Sequence, residues 1–291
     1  MRTNPVKKTI GRIILYFLVA LFLIWTIFPF YWLFTMSFKS PIDAISNPPK
    51  FTFKVFLENY KAALNMYVKP GSLGFVVVQV EFLKGFKNSM IIGFGSVAVA
   101  LAVGVPAAYA LARTRSRLQK TVGLMFLFVR FIPTFAVVIP LFILWRQLKL
   151  YDTYHGMILA YQMNLLPYLI WMMKGYFADI PIEIEEAAKV DGCTAWQVFR
   201  NVALPLVAPG LAASAVLVFV AAWNTFEIGY ILSQTRAQPV TVALTGYSST
   251  YTGQIQGLAA AAGTLVMLPE LLVAGYVQKY IVRGLTLGHG K

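Results

Sequence analysis

The sequence predicts an all-α integral membrane protein with six transmembrane helices. Of its 291 residues, 58% are hydrophobic and 12% charged, against about 25% charged in soluble domains. Mean hydropathy is +0.68. Six stretches, 11–38, 88–112, 121–145, 156–177, 205–232 and 258–282, each reach the roughly 20 mostly apolar residues that a helix needs to cross a bilayer. An even number of spans puts both termini on one side.

The first segment, 1–38, reads as a short basic tail and the first span. A secretory signal is excluded, because the apolar run from Ile13 to Phe38 far exceeds an h-region of about 7 to 15 residues and no small-residue cleavage site follows. Residues 39–87 carry Ser40-Pro-Ile-Asp43 and Asn47-Pro-Pro49, which are turn and extended-chain signals, and read as an extracytoplasmic loop. Residues 88–282 form the core of five further spans, and 283–291 a second tail.

In the second span, Gly93-Phe-Gly-Ser-Val-Ala98 resembles a dinucleotide fingerprint. It lies within an apolar helix with no preceding strand, so the context such a site requires is missing. Packing explains it better: Ser96, Ala100, Gly104, Ala108 and Ala112 recur every four residues, a smooth stripe along which another helix can approach closely. The third span holds Arg130, the fourth Gln162 and Asn164, the fifth Asn224 and Glu227, and the sixth Glu270. Polar groups inside a span are costly unless they face a bundle interior or a water-filled path. These six either line a solute path or bond neighbouring helices, with Arg130 and Glu270 one possible pair. Trp223 and Tyr230, near the end of the fifth span, suit either interfacial anchoring or a path for carbohydrate.

The charge excess, 25 Lys and Arg against 11 Asp and Glu, would suit nucleic acid. Here the basic residues flank apolar spans, so membrane anchoring is the better account and no nucleic-acid partner is expected. Fourteen lie in the two tails and in the loops around 113–120 and 174–200, and ten in the other loops, most of them spread along 39–87. The dense clusters therefore place both termini in the cytoplasm, in a multi-pass protein of the cell (inner) membrane.

Catalytic chemistry finds no footing. G-x-x-x-x-G-K-[ST], H-E-x-x-H and G-x-S-x-G are all absent, so no nucleotide, metal or acyl-transfer site is expected. His155 and His289 lie far apart and Cys193 is the only cysteine. No catalytic residue, metal or cofactor of the chain's own is anticipated.

Between the fourth and fifth spans, the loop 178–204 is polar and rich in small residues. Pro181 suits a helix's first turn, and Glu183, Glu185 and Glu186 place negative charge at the positive end of its dipole. Asp191-Gly192 signals a bend, and Thr194-Ala-Trp-Gln197 matches the capping box that starts a new helix. Two short helices under the membrane follow, with Ile184, Trp196, Val198, Phe199 and Val202 available for burial. An interfacial segment resting on the bilayer satisfies these signals equally well.

The residues themselves narrow that choice. Glu186-Ala-Ala188, three residues, Gly192, nine residues, Val202, one residue and Leu204-Pro205 resemble the EAA signature of permease subunits in binding-protein-dependent ABC importers. Ser37-Phe-Lys39, Asn88-Ser89, Ala108-Tyr-Ala-Leu-Ala-Arg113, Pro133, Pro167, Trp223-Asn224 and Val282-Arg-Gly-Leu285 are similar to the carbohydrate branch, the smaller permease of maltose-type transporters. Val202 stands in the usual Ile place, and Cys193 where a smaller residue is common.

The resemblance implies a type I ABC importer fold, with a cytoplasmic coupling-helix loop between helices 4 and 5 that docks on a separate ATPase. Glu186, Ala187, Ala188, Asp191, Gly192, Leu204 and Pro205 are the positions carried over. It implies a second homologous permease, two cytoplasmic ATPase subunits that bind ATP and Mg, an extracytoplasmic solute-binding protein that meets the loop 233–257, and a sugar as solute. Gln162, Asn164, Trp223, Asn224, Glu227 and Glu270 are the candidate solute path. Two rivals remain at this stage: a permease for a non-sugar solute such as a peptide, and a secondary transporter carrying its proton on Glu227 or Glu270.

Overall fold

A computed structural model describes residues 5–64, 81–114, 117–129, 131–248 and 256–287. Among these residues all regular structure is helical. Arg130, and with it the possible pairing with Glu270, lies outside the described residues, as does 249–255 of the loop 233–257.

One compact unit is built from the N-terminal part of the chain together with 246–265. Helix α1 (Pro5–Ser37) leads into α2 (Pro41–Ala44) and α3 (Glu58–Ala63). Side chains from Thr9 to Phe30 are exposed all around α1, an uncharged apolar surface beyond Arg12 that suits hydrocarbon. Polar bonds hold the chain where α1 ends. Asn59 Nδ2 donates to the carbonyls of Ser37 and Lys39 at 3.0 and 2.9 Å. Lys39 is buried with its ammonium 4.4 Å from the Trp32 ring centre, where the ring face offsets part of its lost hydration.

The second unit spans 81–245 and 266–291. Its centre is the pair α4 (Phe82–Arg113) and α7 (Tyr154–Ala178). The small-residue stripe does what its spacing predicts: Ser96, Ala100 and Ala108 are fully buried, and Ala112 is half-buried. A β-carbon at Gly104 would come within 2.9 Å of Leu169 Cδ2. Leu165, Leu169, Met173 and Phe177 fill the core alongside.

Two predicted spans are broken. The third divides into α5 (Arg117–Val129) and α6 (Thr134–Gln147), because Pro133 has no N–H to continue the ladder and disfavours helical backbone at Ile132. Beyond α7 come α8 (Ile182–Val190), α9 (Ala195–Val198), a π-helical turn (Phe199–Ala203) and α10 (Leu204–Leu206). The fifth span is then α11 (Ala208–Trp223) and α12 (Glu227–Leu232), followed by α13 (Val240–Ala243). The segment Ala195–Leu206 meets α11 at 79°; Pro209 would set its ring against the carbonyl four residues back in a continuous helix. Past Trp223, Asn224 Nδ2 and Thr225 Oγ1 donate to the carbonyls of Val220 and Ala221, bonds that compete with the helical ladder.

The last helix, α14 (Gln256–Leu287), contributes its first turns to the first unit and the remainder to the second. By length and apolarity, three helices among the described residues can cross a membrane, or four if the bent pair counts as one span. The count of six is not established by that measure: α5 and α6 are each short, and Gln162 and Asn164 lower the hydropathy of α7.

Candidate functional site

The segment 182–206 lies at the end of the second unit where α4 finishes. Pro181 is the N-cap of α8, one position earlier than expected. Glu186 and Ala187 are exposed, and Ala188 is half-buried. The bend is local chemistry. Gly192 has φ +87°, a left-handed conformation that glycine adopts without strain. It lets the amides of Gly192 and Cys193 return to the carbonyls of Lys189 and Ala188, both at 3.0 Å, satisfying the end of the helix. The capping box is present in both directions: Thr194 N donates to Gln197 Oε1 at 2.7 Å and Gln197 N to Thr194 Oγ1 at 3.3 Å.

Not all five residues offered for burial are buried. Val198 and Phe199 are, Val202 is half-buried, and Ile184 and Trp196 are 43% and 60% exposed. Glu186 and Ala187 on α8 and Trp196 on α9 are thus left bare. Asp191 is exposed at the bend, Leu204 is half-buried and Pro205 exposed.

Glu183 and Glu185 stand in the first turn of α8, where the dipole reading puts them, but Glu185 is also engaged by side chains of another helix. It is 1% exposed and accepts from Arg113 Nη2 at 2.6 Å, Arg113 Nε at 2.9 Å and Tyr109 Oη at 2.8 Å. Arg113 Nη2 also donates to the Ile180 carbonyl at 3.3 Å. The Tyr109 ring lies 5.3 Å from Phe177 and 5.0 Å from Phe199. Sequence reasoning missed this group because its members are 72 and 76 residues apart; an Arg four residues after a Tyr at the end of an apolar helix was the available signal.

The candidate path residues divide. Gln162 is buried, donating to the Ser96 carbonyl at 3.1 Å and the Ile158 carbonyl at 2.9 Å, so it ties α7 to α4. Asn164 and Glu227 are half-buried. Trp223 is 2% exposed, donates from Nε1 to the Val266 carbonyl at 3.2 Å and stacks on Phe219; it is no interfacial anchor, whereas Tyr230 is 57% exposed. Asn224, exposed, donates from Nδ2 to Glu270 Oε1. The structure thus joins Asn224 and Glu270 into a polar spot between α11 and α14, while Gln162 belongs to the α4–α7 seam.

At the opposite end, Asp152 (φ 54°) accepts from the backbone N–H groups of Gln234, Thr235, Arg236 and Ala237 at 3.0, 3.1, 3.0 and 3.0 Å. Burial pushes its carboxyl up, but the four amides outweigh it and hold it below the ordinary 3.8. Asn88 Nδ2 donates to the carbonyls of Arg236 and Gln238, Tyr154 Oη donates to Asn88 Oδ1, and Val240 N donates to Ser89 Oγ. Asn88 and Ser89 thereby hold the same strip of chain as Asp152.

Residues 100–287 match the family model of the binding-protein-dependent transport system inner membrane component. The chain belongs to this family. The permease is 34% identical to a probable ABC transporter permease protein of Sinorhizobium fredii, over 91% of this chain and 90% of that one. It is 31% identical to the diacetylchitobiose uptake system permease protein of Streptomyces coelicolor, over 90% and 91%. In fold it is similar to a solved chain of a bacterial ABC transporter involved in the import of the acidic polysaccharide alginate, with TM-score 0.77 and 23% identity over 96% of this chain and 99% of that one. As the membrane component of a transport system the permease is not an enzyme, and the all-helical importer fold expected of it is the one it has.

Proposed function

We propose that the permease is one of two homologous membrane subunits of an importer for a sugar or oligosaccharide, driven by ATP hydrolysis on two separate cytoplasmic ATPase subunits that hold the ATP and Mg. A carbohydrate solute is supported by what its relatives carry: diacetylchitobiose in one and alginate in another. Both termini and the 182–206 segment lie on the cytoplasmic side, and an extracytoplasmic binding protein delivers solute near the Asp152 end, with the loop 233–257 a contact. Asn224 and Glu270, the polar spot between α11 and α14, are the path residues best placed to accept and donate to sugar hydroxyls.

One observation carries the coupling role. Glu186 and Ala187 stand exposed on α8, immediately before a glycine-dependent turn, while their neighbour Glu185 is turned inward and satisfied. Small side chains let a partner backbone come close, and the exposed carboxylate offers it an acceptor. In reconstituted vesicles, Glu186→Lys is expected to lower ATP-driven uptake about tenfold or more, since a reversed charge at a docked contact is repulsive. Gly192→Pro, locked near φ −65°, should do the same by undoing the turn. Both proteins should still insert. Wild-type uptake in either would remove the docking role.

A further inference from the structure

We propose that Glu185, Arg113 and Tyr109 form a strap that makes α8 and the adjoining ends of α4 and α7 move as one body. The inference rests on the docking role of the 182–206 segment and names how that segment's displacement enters the bundle. The strap has three properties. Glu185 is fully enclosed and its carboxylate is bound on both oxygens: Oε1 by Arg113 and Oε2 by Tyr109. Arg113 bridges further, to the Ile180 carbonyl where α7 passes into α8. Tyr109 is wedged between Phe177 of α7 and Phe199 of the π-helical turn, so the loop's second half is gripped as well.

If α8 swung away alone, a carboxylate and a guanidinium would part inside the protein, each left without its counter-charge, which is far costlier than moving together. The α4–α7 pair is itself closely packed through the Ser96, Ala100, Gly104 and Ala108 stripe. The displacement is therefore handed to both helices at once. The chain changes direction elsewhere, at Val207, where the segment Ala195–Leu206 turns 79° into α11.

The test follows the strap directly. Spin labels at Lys189 and Thr114, both exposed, in a Cys193→Ser background report the spacing of α8 from α4 in the full complex. It is measured without nucleotide and after trapping with ATP, Mg2+ and vanadate. In the parent protein the distance distribution is expected to be the same in both states. In Glu185→Gln it should shift or broaden on trapping, with stimulation of ATP hydrolysis by the binding protein falling about tenfold, the scale of one charge-assisted hydrogen bond. Tyr109→Phe, which keeps the ion pair and the ring, should show a smaller shift of the same kind. Co-purification with the ATPase should survive in Glu185→Gln and be lost in Glu186→Lys.

A distribution that already changes in the parent, or stays fixed in Glu185→Gln, overturns the strap. So does loss of the ATPase from Glu185→Gln, which would make Glu185 a docking residue. Retained co-purification in Glu186→Lys would strike the docking role instead.

Discussion

The two ends of the second unit each spend one carboxylate on structure, and they spend it differently. Asp152 is answered by backbone alone: four successive amides from 234–237 converge on it. Glu185 is answered by side chains from another helix, Arg113 and Tyr109. A carboxylate caged by amides fixes the shape of the loop that cages it, and those amides are no longer free for a partner. A carboxylate paired across helices fixes the relation between two elements and leaves the rest of its own helix bare. The first arrangement makes a shaped cap; the second makes a handle. Perturbing the cap should therefore cost stability, and perturbing the handle should cost coupling with the fold intact.

The strongest way to break the contrast is at Gly156. A β-carbon there would fall inside the van der Waals surface of the Leu150 carbonyl oxygen, and Leu150 is backbone that cannot step aside. The same turn also carries the Thr153 cap of α7 and the bond from Trp145 Nε1 to the Gly156 carbonyl. Gly156→Ala is expected to destabilise the protein by about 3 kcal/mol, the upper range for overpacking, read as a lowered melting temperature in detergent. Gly175 is the control from the other end of α7: its β-carbon would meet nothing within 4 Å. A Gly156→Ala protein that melts like the parent would mean that the cap is not the rigid end.

Next comes Asp152 itself. Asp152→Ala strips four amides of their acceptor, and because the carboxylate is partly solvated the expected cost is about 2 kcal/mol. Hydrogen exchange should localise it: amides 234–237 lose protection while those of α8 keep theirs. Equal loss at both ends would erase the distinction between cap and handle.

What could be read from the sequence divides along the same line. The bend at Gly192, the capping box at Thr194 and the small-residue stripe of α4 were legible because each is written within a few residues or at a fixed helical spacing. The Glu185–Arg113 pair and the Asp152 cage join residues 72 to 85 positions apart, and nothing local announces them. For Trp223 the sequence left anchoring and a solute path both open, for a related reason. A helix that is apolar all round carries no periodic signal telling a buried face from an exposed one. The breaks at Pro133 and Pro209 were visible as prolines, but hydropathy averages across them.

The smallest expected effect comes from pH, and it sharpens the account of the cage. Burial disfavours the ionised Asp152, the four amides favour it more, and the carboxyl lies below the ordinary 3.8. Unfolded chain therefore takes up this proton more readily than folded chain as pH falls. The contribution of Asp152 to stability is complete above the ordinary value and is lost as pH drops through the lower, folded one. From about pH 7 to about pH 5 the melting-temperature gap between the parent and Asp152→Asn should be constant. Below 3.8 it should narrow, first because the unfolded parent takes up the proton there and then, at lower pH, because the folded carboxyl protonates and accepts less well from 234–237. A gap that instead widened as pH fell from about 7 to about 5 would require an Asp152 carboxyl raised above the ordinary range, in which case burial would outweigh the amides and the cap would be held by Asn88 and Ser89 instead.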